Sequence, residues 1–379
     1  MRLRRARCLV CYWHNGAFVA HPFLRGKGLV LSVAIAEVLD AFTDWRTVDE
    51  AVECLPHEAR ESVAVVIPEL VSRGLLLAEG SQEDTRDEAL DARWGPWSPE
   101  ASFFHFATQN HIYSEASGDD REALAAQGRP PIFTTYPEAD RILLPRVPGR
   151  LDEPLGQVLY RRRTHRSFTS APVPLVPFAA LLSSTFGPAD YIDAGAFGAL
   201  IRRTSPSGGA RQELEAYLGI RQVSGVTPGW YHYNSLEHSL ELMAEGCTGE
   251  DLSAMCGNQQ WVEDAAFIVV LTAEIERMLA KYRNPRAYRV CLLNAGHLGQ
   301  TFALSAVALG LGPFQTGAFH DKALAERLNL DNVSRTPLYV LGAGLPEGEW
   351  ASIPAGADME TFGLTTLQAK TTTPPARPA

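Results

Sequence analysis

The sequence predicts an α+β protein, because helical patterns and strand patterns both occur along its 379 residues. The longest helical pattern runs from Tyr288 to Leu309, where apolar positions recur at alternating spacings of four and three residues. Residues 265–272 are rich in Val and Ile, which favours a buried strand. Residues 1–80 carry helix caps of their own, which indicates a separate N-terminal domain.

The N-terminal domain is predicted to begin with a strand and two helices. Cys8 and Cys11 are better explained by a strand than by half a zinc site, because no second CxxC pair follows. Ser32 can cap a first helix, and Thr47 with Glu50 three residues later makes a capping box for a second helix.

A third helix and a short strand complete this domain. The helix is predicted from about Glu58 to Arg73, with a kink at Pro68 and an end at Gly74, and Leu75–Leu77 follow as a strand. A strand, three helices and a β-wing resemble the winged-helix, PqqD-like peptide-recognition domains of peptide-modifying enzymes. Nine basic and ten acidic residues disfavour DNA as a partner, so a peptide partner and a purely structural cap both remain open.

Residues 81–150 are predicted to be an acidic linker that carries one docking segment, Phe103–Phe106. His105 and His111 are expected to pack rather than to bind metal, since no ligand partner lies at a suitable spacing, and no metal site is predicted anywhere. Residues 151–350 form the predicted catalytic domain. Residues 351–379 are rich in Thr and Pro, which predicts a disordered tail.

The composition predicts a cytoplasmic protein without a nucleic-acid or membrane partner. The net charge of −10 disfavours nucleic acid. No apolar run approaches the ~20 residues that span a bilayer, and the first residues lack the pattern of a signal peptide. Six irregularly spaced cysteines are too few for a disulfide scaffold in so long a chain.

Two cationic or glycine-rich segments indicate a site for an anionic ligand. The first offers guanidinium forks and a hydroxyl, which suit phosphate, at Arg162, Arg163, Thr164 and Arg166. In the second, glycines would let the backbone approach a flat or anionic ligand, although an ordinary glycine turn explains the pattern equally; it comprises Pro206, Ser207, Gly208, Gly209 and Arg211.

The dipeptide Lys281-Tyr282 lies just before the long helix and is a candidate acid/base pair. Both residue types ordinarily titrate near pH ~10, and burial or a cationic neighbour can bring such groups toward neutral pH. Arg286 and Arg289 follow within the same basic cluster. A solvated basic helix end is the alternative interpretation.

The two segments and the dipeptide resemble the motifs of the nitroreductase superfamily, in the order found there. Arg162-Arg163-Thr164-X-Arg166-X-Phe168 resembles its first flavin mononucleotide (FMN) motif. Residues 206–211 resemble the variant found in the SagB-type azoline dehydrogenases, and Lys281-Tyr282 resembles their catalytic pair. The similarity runs from about Leu155 to Leu345, roughly half of the chain.

The resemblance implies a central mixed or antiparallel sheet flanked by helices, and a long central helix at the interface of a homodimer. It implies FMN as the cofactor, with Thr316 and Gly317 facing the flavin N5. His297 is as consistent with helix packing as with catalysis. Unlike many nitroreductases, this sequence has only two basic residues after Gly344, Lys370 and Arg377. The phosphate would therefore depend on Arg162, Arg163, Arg166 and Arg289, with Arg286 a further candidate residue for cofactor binding.

The predicted function is FMN-dependent oxidation of thiazoline or oxazoline rings to azoles in a ribosomally made peptide. A precursor peptide and a cyclodehydratase are the expected partners. Two alternatives stay open: an NAD(P)H-dependent flavin oxidoreductase acting on a small molecule, and a non-catalytic flavoprotein scaffold.

Overall fold

The computed structural model describes residues 1–25, 27–55, 60–110, 130–146, 151–194 and 198–348. The predicted tail at 351–379 and His111 lie outside these described residues. The chain divides into two compact units. The first comprises the described residues of 1–129 together with 278–290, and the second those of 130–277 together with 291–379.

The first unit combines short strands with helices. Its elements are β1 Leu3–Arg5, β2 Leu9–His14, β3 Ala17–Pro22, β4 Leu29–Leu31, α1 Ala34–Ala41, α2 Val48–Glu53, α3 Arg60–Ser72, β5 Leu76–Ala78, α4 Gln82–Trp94 and α5 Ser98–Ala107. β1 pairs with β5, and β2, β3 and β4 form a three-stranded sheet in that order, with every pairing antiparallel. Apolar side chains of these strands and of α1–α3 form one hydrophobic core.

Most of the local predictions for this unit are confirmed. The capping box is present, since the Glu50 N–H donates to Thr47 Oγ1 at 3.3 Å and the Thr47 N–H donates to the Glu50 carboxylate at 2.7 Å. α3 continues through Pro68, and Gly74 follows its end with φ +74°. The Ser32 cap was wrong: no side chain caps α1, and Ser32 instead accepts the Ile35 N–H with its carbonyl at 3.0 Å.

The three-stranded sheet was not predicted as a sheet. Its first hairpin turns at Asn15 and Gly16, which adopt φ +49° and +75° as a two-residue turn requires. The predicted acidic linker also contains two helices. Ser81 caps α4, and two acidic residues of that helix are buried rather than solvated because they bind the first strands.

These two residues are Asp84 and Asp87. The Arg4 guanidinium lies 2.9 Å from Asp84 and 3.5 Å from Asp87, and all three side chains are almost fully buried. Asp87 also accepts the Arg7 and Cys8 backbone N–H groups, each at 2.9 Å. The acidic character of this segment therefore reflects internal pairing with β1 and the turn that follows it.

The second unit is built around an antiparallel sheet. Its strands are β6 Arg141–Leu143, β7 Asp190–Asp193, β8 Ala199–Arg202, β9 Leu214–Ile220, β10 Gly229–Asn234, β11 Ser239–Glu245, β12 Phe267–Glu274, β13 Gly312–Thr316 and β14 Arg335–Gly344. Seven of them form one sheet in the order β13-β14-β12-β9-β10-β11-β6, and β7 pairs with β8. The predicted buried strand is β12, whose first seven residues are buried between β9 and β14.

Helices pack against this sheet, which confirms the α+β class. Their bounds are α6 Leu155–Arg161, α7 Leu175–Phe186, α8 Gly249–Met255, α9 Ile275–Leu279, α10 Ala287–Ala308 and α11 Asp321–Arg327. The predicted long helix is α10. The chief core contains side chains of α7, α10 and the sheet.

The apolar stripe of α10 faces this core. Ala295, Phe302 and Ala306 are buried at 3%, 0% and 0% exposure within the second unit. Tyr288 and Leu292, at the N-terminal end of the stripe, are 42% and 44% exposed, and Leu293, on the opposite side of the helix, is 62% exposed. The C-terminal part of the stripe therefore packs into the core, and the homodimer with α10 at its interface stays a prediction. α10 is also long and apolar enough to cross a membrane, a test that core helices of soluble proteins pass as well.

Candidate active site

The arginine run of residues 162–166 follows α6 and lies along β13. The His165 N–H donates to the Pro313 carbonyl at 2.9 Å, and the Phe168 ring packs 6.0 Å from that of Phe314. The His165 ring lies so close to Gly312 that an added Cβ would sit 2.8 Å from it. Burial, helped by Arg163, lowers the pKa of His165. The run is thus fixed by its backbone and by two aromatic contacts.

The cationic side chains of this run differ in exposure. Arg162 and Arg163 are half-buried, whereas Thr164 and Arg166 are exposed. The Arg166 guanidinium lies over the Trp261 ring, 5.6 Å from its centroid. None of the ion pairs among the described residues uses Arg162 or Arg166. These two guanidiniums are therefore suited to an external anion.

The glycine segment forms a strained loop before β9. Gly209, Ala210 and Gln212 adopt φ +63°, +54° and +48°, and the latter two carry side chains in the left-handed region. The Gln212 N–H donates to Ser207 Oγ at 3.1 Å, and Arg211 Nε donates to the Gly209 carbonyl at 2.9 Å. Side-chain hydrogen bonds therefore hold this loop in its shape, which a simple glycine turn would not need.

α10 supports this loop through Asn294, which the motif comparison did not single out, and through His297. Asn294 accepts the Gly208 N–H at 3.2 Å. His297 is exposed and its Nδ1 lies 3.3 Å from the Pro206 carbonyl, so its contact is with the loop backbone. Asn294 could have been found by its spacing, since it lies three residues before His297 and so on the same side of the helix.

The end of β13 carries Thr316 and Gly317. Thr316 is buried, and its hydroxyl accepts from Gln259 Nε2 at 3.1 Å and from the Ala318 N–H at 3.0 Å. Gly317 is exposed, and an added Cβ there would meet no atom within 4 Å. The contact of Thr316 and Gly317 with the flavin N5 stays a prediction. Gln259 and Trp261 carry no sequence signal for these contacts.

Lys281 and Tyr282 lie in a turn that follows α9, in the first unit. Both of their backbone N–H groups donate to the Met278 carbonyl, at 3.1 and 2.9 Å. Lys281 Nζ lies 5.3 Å from the centroid of the Tyr282 ring. The two side chains are thus held as a pair.

Arg286 and Arg289 bind carbonyls at the end of α5, also within the first unit. Arg286 donates to the Thr108 carbonyl at 3.2 Å, and Arg289 donates to the carbonyls of Phe104 and His105. The negative end of a helix attracts such cations. Their predicted role in cofactor binding stays a prediction, and these contacts give them a structural role as well.

A layer of buried charged side chains comes from α9 and from β9, β10 and β11, the strands that follow the loop. Arg277 is 2.6 Å from Glu215 and donates to the Gln212 carbonyl at 3.0 Å, which joins this layer to the end of the loop. His232 Nδ1 is 2.8 Å from Glu241, and its Nε2 is 3.5 Å from Glu215. Burial disfavours the charged form of Glu215, yet Arg277 and His232 outweigh it and lower its pKa to about 2.

The predicted cofactor residues of the second unit thus lie in two groups, one beside β13 and one beside α10. Residues 162–166 lie beside Thr316 and Gly317 along β13, and residues 206–211 lie on α10. Gln315 of β13 donates to the Gly299 carbonyl of α10 at 2.5 Å, so both groups belong to one packed framework. Arg162 and Arg166, which use no ion pair among the residues that the structure describes, and the exposed Gly317 fit an anionic, planar cofactor.

This fold and these motifs define the class. The nitroreductase family profile matches residues 159–345, and the chain belongs to the nitroreductase family. "Putative nitroreductase MJ1384" of Methanocaldococcus jannaschii is 30% identical over 190 residues, which cover 50% of this chain and 90% of that protein. "Microcin B17-processing protein McbC" of Escherichia coli is 32% identical over 148 residues, 37% of this chain and 53% of that protein.

A solved structure agrees in fold. The crystal structure of a "putative nitroreductase" from Anabaena variabilis has 26% sequence identity and a TM-score of 0.51, covering 65% of this chain and 47% of that one. The chain therefore spans about half the length of both McbC and the Anabaena protein that it matches.

Proposed function

We propose that this protein is an FMN-dependent dehydrogenase that oxidises azoline rings to azoles in a ribosomally made peptide. The observation that carries the proposal is the Lys281-Tyr282 pair, with its ammonium group 5.3 Å from the phenol ring centroid. Family membership supports a flavin, and the similarity to McbC supports a peptide substrate. A precursor peptide and a cyclodehydratase are the proposed partners.

Azoline oxidation removes one proton and one hydride from neighbouring ring carbons. Bound FMN would accept the hydride, with dioxygen as the final oxidant. Tyr282 or Lys281 would take the proton as general base, and the other would orient it or stabilise its charge. Arg162 and Arg166 would hold the phosphate, with Arg163 and Thr164 beside them, and the 206–211 loop and the Thr316–Gly317 backbone would hold the ring system.

The residues of the first unit would serve recognition. The three-stranded sheet followed by α1–α3 is compatible with a winged-helix, PqqD-like peptide-binding domain. Under this proposal, residues 1–80 bind the leader segment of the precursor or a partner enzyme. The helices within residues 81–110 follow that domain in the chain.

Loss of flavin on removal of a phosphate-binding guanidinium tests the cofactor. Arg162→Ala and Arg166→Ala should each weaken FMN binding roughly 10- to 100-fold, because a charge-assisted hydrogen bond contributes about 1.5–3 kcal/mol. Arg161→Ala is the matched control, since this exposed neighbour already pairs with Glu153 at 3.2 Å. FMN affinity is measured by fluorescence quenching. Equal affinities for all three variants would contradict the proposed phosphate site.

A second candidate is an NAD(P)H-dependent nitroreductase acting on small molecules, which the match over 90% of MJ1384 favours. Stopped-flow absorbance distinguishes the two. Rapid bleaching of bound flavin by NAD(P)H without peptide supports the second candidate. Loss of 2 Da from a thiazoline peptide, followed by mass spectrometry, supports the first.

A further inference from the structure

The loop that precedes β9 needs external support to keep its shape. Ala210 and Gln212 carry side chains in the left-handed region, at φ +54° and +48°, where such residues are conformationally unfavourable. The end of the loop is secured at Gln212, whose carbonyl accepts from Arg277 at 3.0 Å and whose side chain donates to the Ile201 carbonyl at 3.3 Å. The start of the loop, at Ser207 and Gly208, needs a second anchor.

Asn294 of α10 is that anchor. Its Oδ1 accepts the Gly208 N–H at 3.2 Å, and its Nδ2 lies 3.4 Å from Ser207 Oγ. Nδ2 also donates to Glu213 Oε1 at 2.9 Å. The Asn294 side chain is buried, with 4% of the residue exposed. One amide group therefore joins two loop residues to Glu213, the residue just before β9.

Glu213 fixes the orientation of this amide. Its Oε1 accepts a hydrogen bond, so the NH2 group of Asn294 must face it and the carbonyl oxygen must face Gly208. Glu213 is fully buried. Burial raises the pKa of Glu213, an effect that the Asn294 hydrogen bond opposes. A buried carboxyl is costly to keep, and here it prevents the amide from rotating.

The same contacts orient Ser207. Its Oγ accepts the Gln212 N–H at 3.1 Å and faces Asn294 Nδ2, so both of its acceptor positions are directed into the protein. Its own O–H proton remains available to donate to a ligand. Asn294 thus acts on a hydroxyl and on a backbone N–H that the motif comparison assigns to flavin binding.

We propose that Asn294, oriented by Glu213, is a positioning residue that holds Ser207 and Gly208 in the shape that receives the flavin. This inference rests on the proposed binding of FMN. It adds two residues outside the known motifs, and it assigns them to the support of the cofactor and not to contact with the substrate.

Asn234 supplies a matched control. It is 2% exposed, its Nδ2 donates to Glu241 at 2.8 Å, and its Oδ1 accepts the Leu236 and Glu237 N–H groups at 3.1 and 3.2 Å. It therefore has the same chemistry, a buried amide between a carboxylate and a turn. That turn joins β10 and β11 and carries none of the proposed flavin-binding residues.

The experiment measures FMN dissociation constants of deflavinated protein by fluorescence quenching, together with the melting temperature without FMN. Asn294→Leu should weaken FMN binding about 10-fold or more, as expected for lost hydrogen bonds that shape a binding loop. Asn234→Leu should lower the melting temperature while leaving the dissociation constant within about twofold. Glu213→Gln lets the amide rotate and removes a buried acid, so affinity should fall without loss of thermal stability.

The outcomes separate this inference from the proposed function. Wild-type protein that binds no FMN overturns the flavin function and this inference with it. Wild-type binding with unchanged affinity in Asn294→Leu overturns the positioning role alone. If Asn294→Leu does not fold, Glu213→Gln decides: unchanged affinity in that variant overturns the inference, and weaker affinity with undiminished stability supports it.

Discussion

The contact between Lys281 and Tyr282 is the smallest feature on which the proposed chemistry depends. The Lys281 ammonium group lies 5.3 Å from the centroid of the Tyr282 ring, a cation–π contact that keeps the two candidate acid/base groups side by side. The turn fixes both backbones through one carbonyl, that of Met278. A substitution of either side chain therefore tests proton transfer without removing the turn.

We expect Lys281→Ala and Tyr282→Phe each to lower turnover of an azoline peptide by ~10²–10⁴-fold while retaining bound flavin. The double variant should be little worse than either single variant, because groups that act as a unit are not additive. Turnover is followed by mass spectrometry and flavin by its visible spectrum. Near wild-type turnover in both single variants would exclude the pair from catalysis.

The buried His232 gives a pH dependence of stability. Burial lowers its pKa, but contacts with Glu215 and Glu241 outweigh burial and raise it above the ordinary value. The rings of Tyr136 and Tyr217 enclose the imidazole at 5.2 and 4.8 Å. A raised pKa means that protonation favours the folded state, so this contribution is complete below pH ~6.5 and is lost as the pH rises through the folded-state value.

We therefore expect the melting temperature to fall as the pH rises above about 6.5, and His232→Gln to remove part of that slope. Each kcal/mol lost should lower the melting temperature by about 2–4 °C. The lowered pKa of Glu215 affects stability in acid. Its contribution to the stability of the fold is lost only as the pH falls from about 4.5 toward 2. His14→Gln is the exposed control, and parallel slopes in both variants and wild type would contradict the assignment.

Sequence patterns predicted the site residues that belong to contiguous motifs, and they missed those that act across the fold. Residues 162–166 and 206–211 could be recognised because each set is local. Trp261 and Gln259 could not, since they reach Arg166 and Thr316 only through the packing of β13. Arg277 likewise supports the loop from a separate helix.

At the scale of elements, α10 has two apolar faces with different roles. Ala295 and Phe302 pack into the core of the second unit, whereas Leu293, on the opposite face, is 62% exposed. Periodicity predicted the helix correctly but could not show which face meets the sheet. The exposed face is the one that a proposed homodimer would bury.

Charged substitutions distinguish these faces. Phe302→Asp should unfold the second unit, because an unpaired buried charge costs several kcal/mol. Leu293→Asp should keep the fold and the melting temperature but shift the protein from dimer to monomer in analytical ultracentrifugation. A wild-type monomer would refute the homodimer, and a dimeric Leu293→Asp variant would place its interface elsewhere.

Elements with local signals were predicted best. The Thr47–Glu50 capping box, the end of α3 at Gly74 and the Val-rich β12 each depend on neighbouring residues. The burial of Asp84 and Asp87 depends instead on Arg4, about eighty residues earlier, so composition alone suggested a linker. The hairpin at Asn15 and Gly16 carries a local signal that was overlooked.

At the scale of the whole molecule, the first unit contains a groove next to an edge strand. The groove has a volume of about 780 Å³ and is lined by β1, β2, β3 and α1, with Leu9, Cys11, Phe18 and Leu39 among its apolar residues. β2 is an edge strand of its sheet, so it can accept a further strand. The groove is therefore a suitable place for strand addition.

If a leader segment binds there, Cys11→Arg should raise the Michaelis constant for full-length precursor severalfold without changing turnover of a short azoline peptide. That pattern follows from loss of binding energy remote from the reacting ring. Val30→Arg is the control, because Val30 is exposed on the opposite edge strand, β4. An effect of Val30→Arg alone would move the binding edge to β4. Deleting residues 1–80 is a poorer test, since it would leave Asp84 and Asp87 without Arg4.

The pairing of Arg4 with Asp84 also has a consequence for biosynthesis. These partners are separated by 80 positions. At elongation rates of 5–20 residues per second, roughly 4–16 s pass between their translation. During that interval the nascent chain holds an uncompensated guanidinium and an unfinished first strand, so the N-terminus cannot complete its native packing until α4 has left the ribosome. Slow codons placed before residue 84 would lengthen this vulnerable period, and chaperone dependence would rise with it.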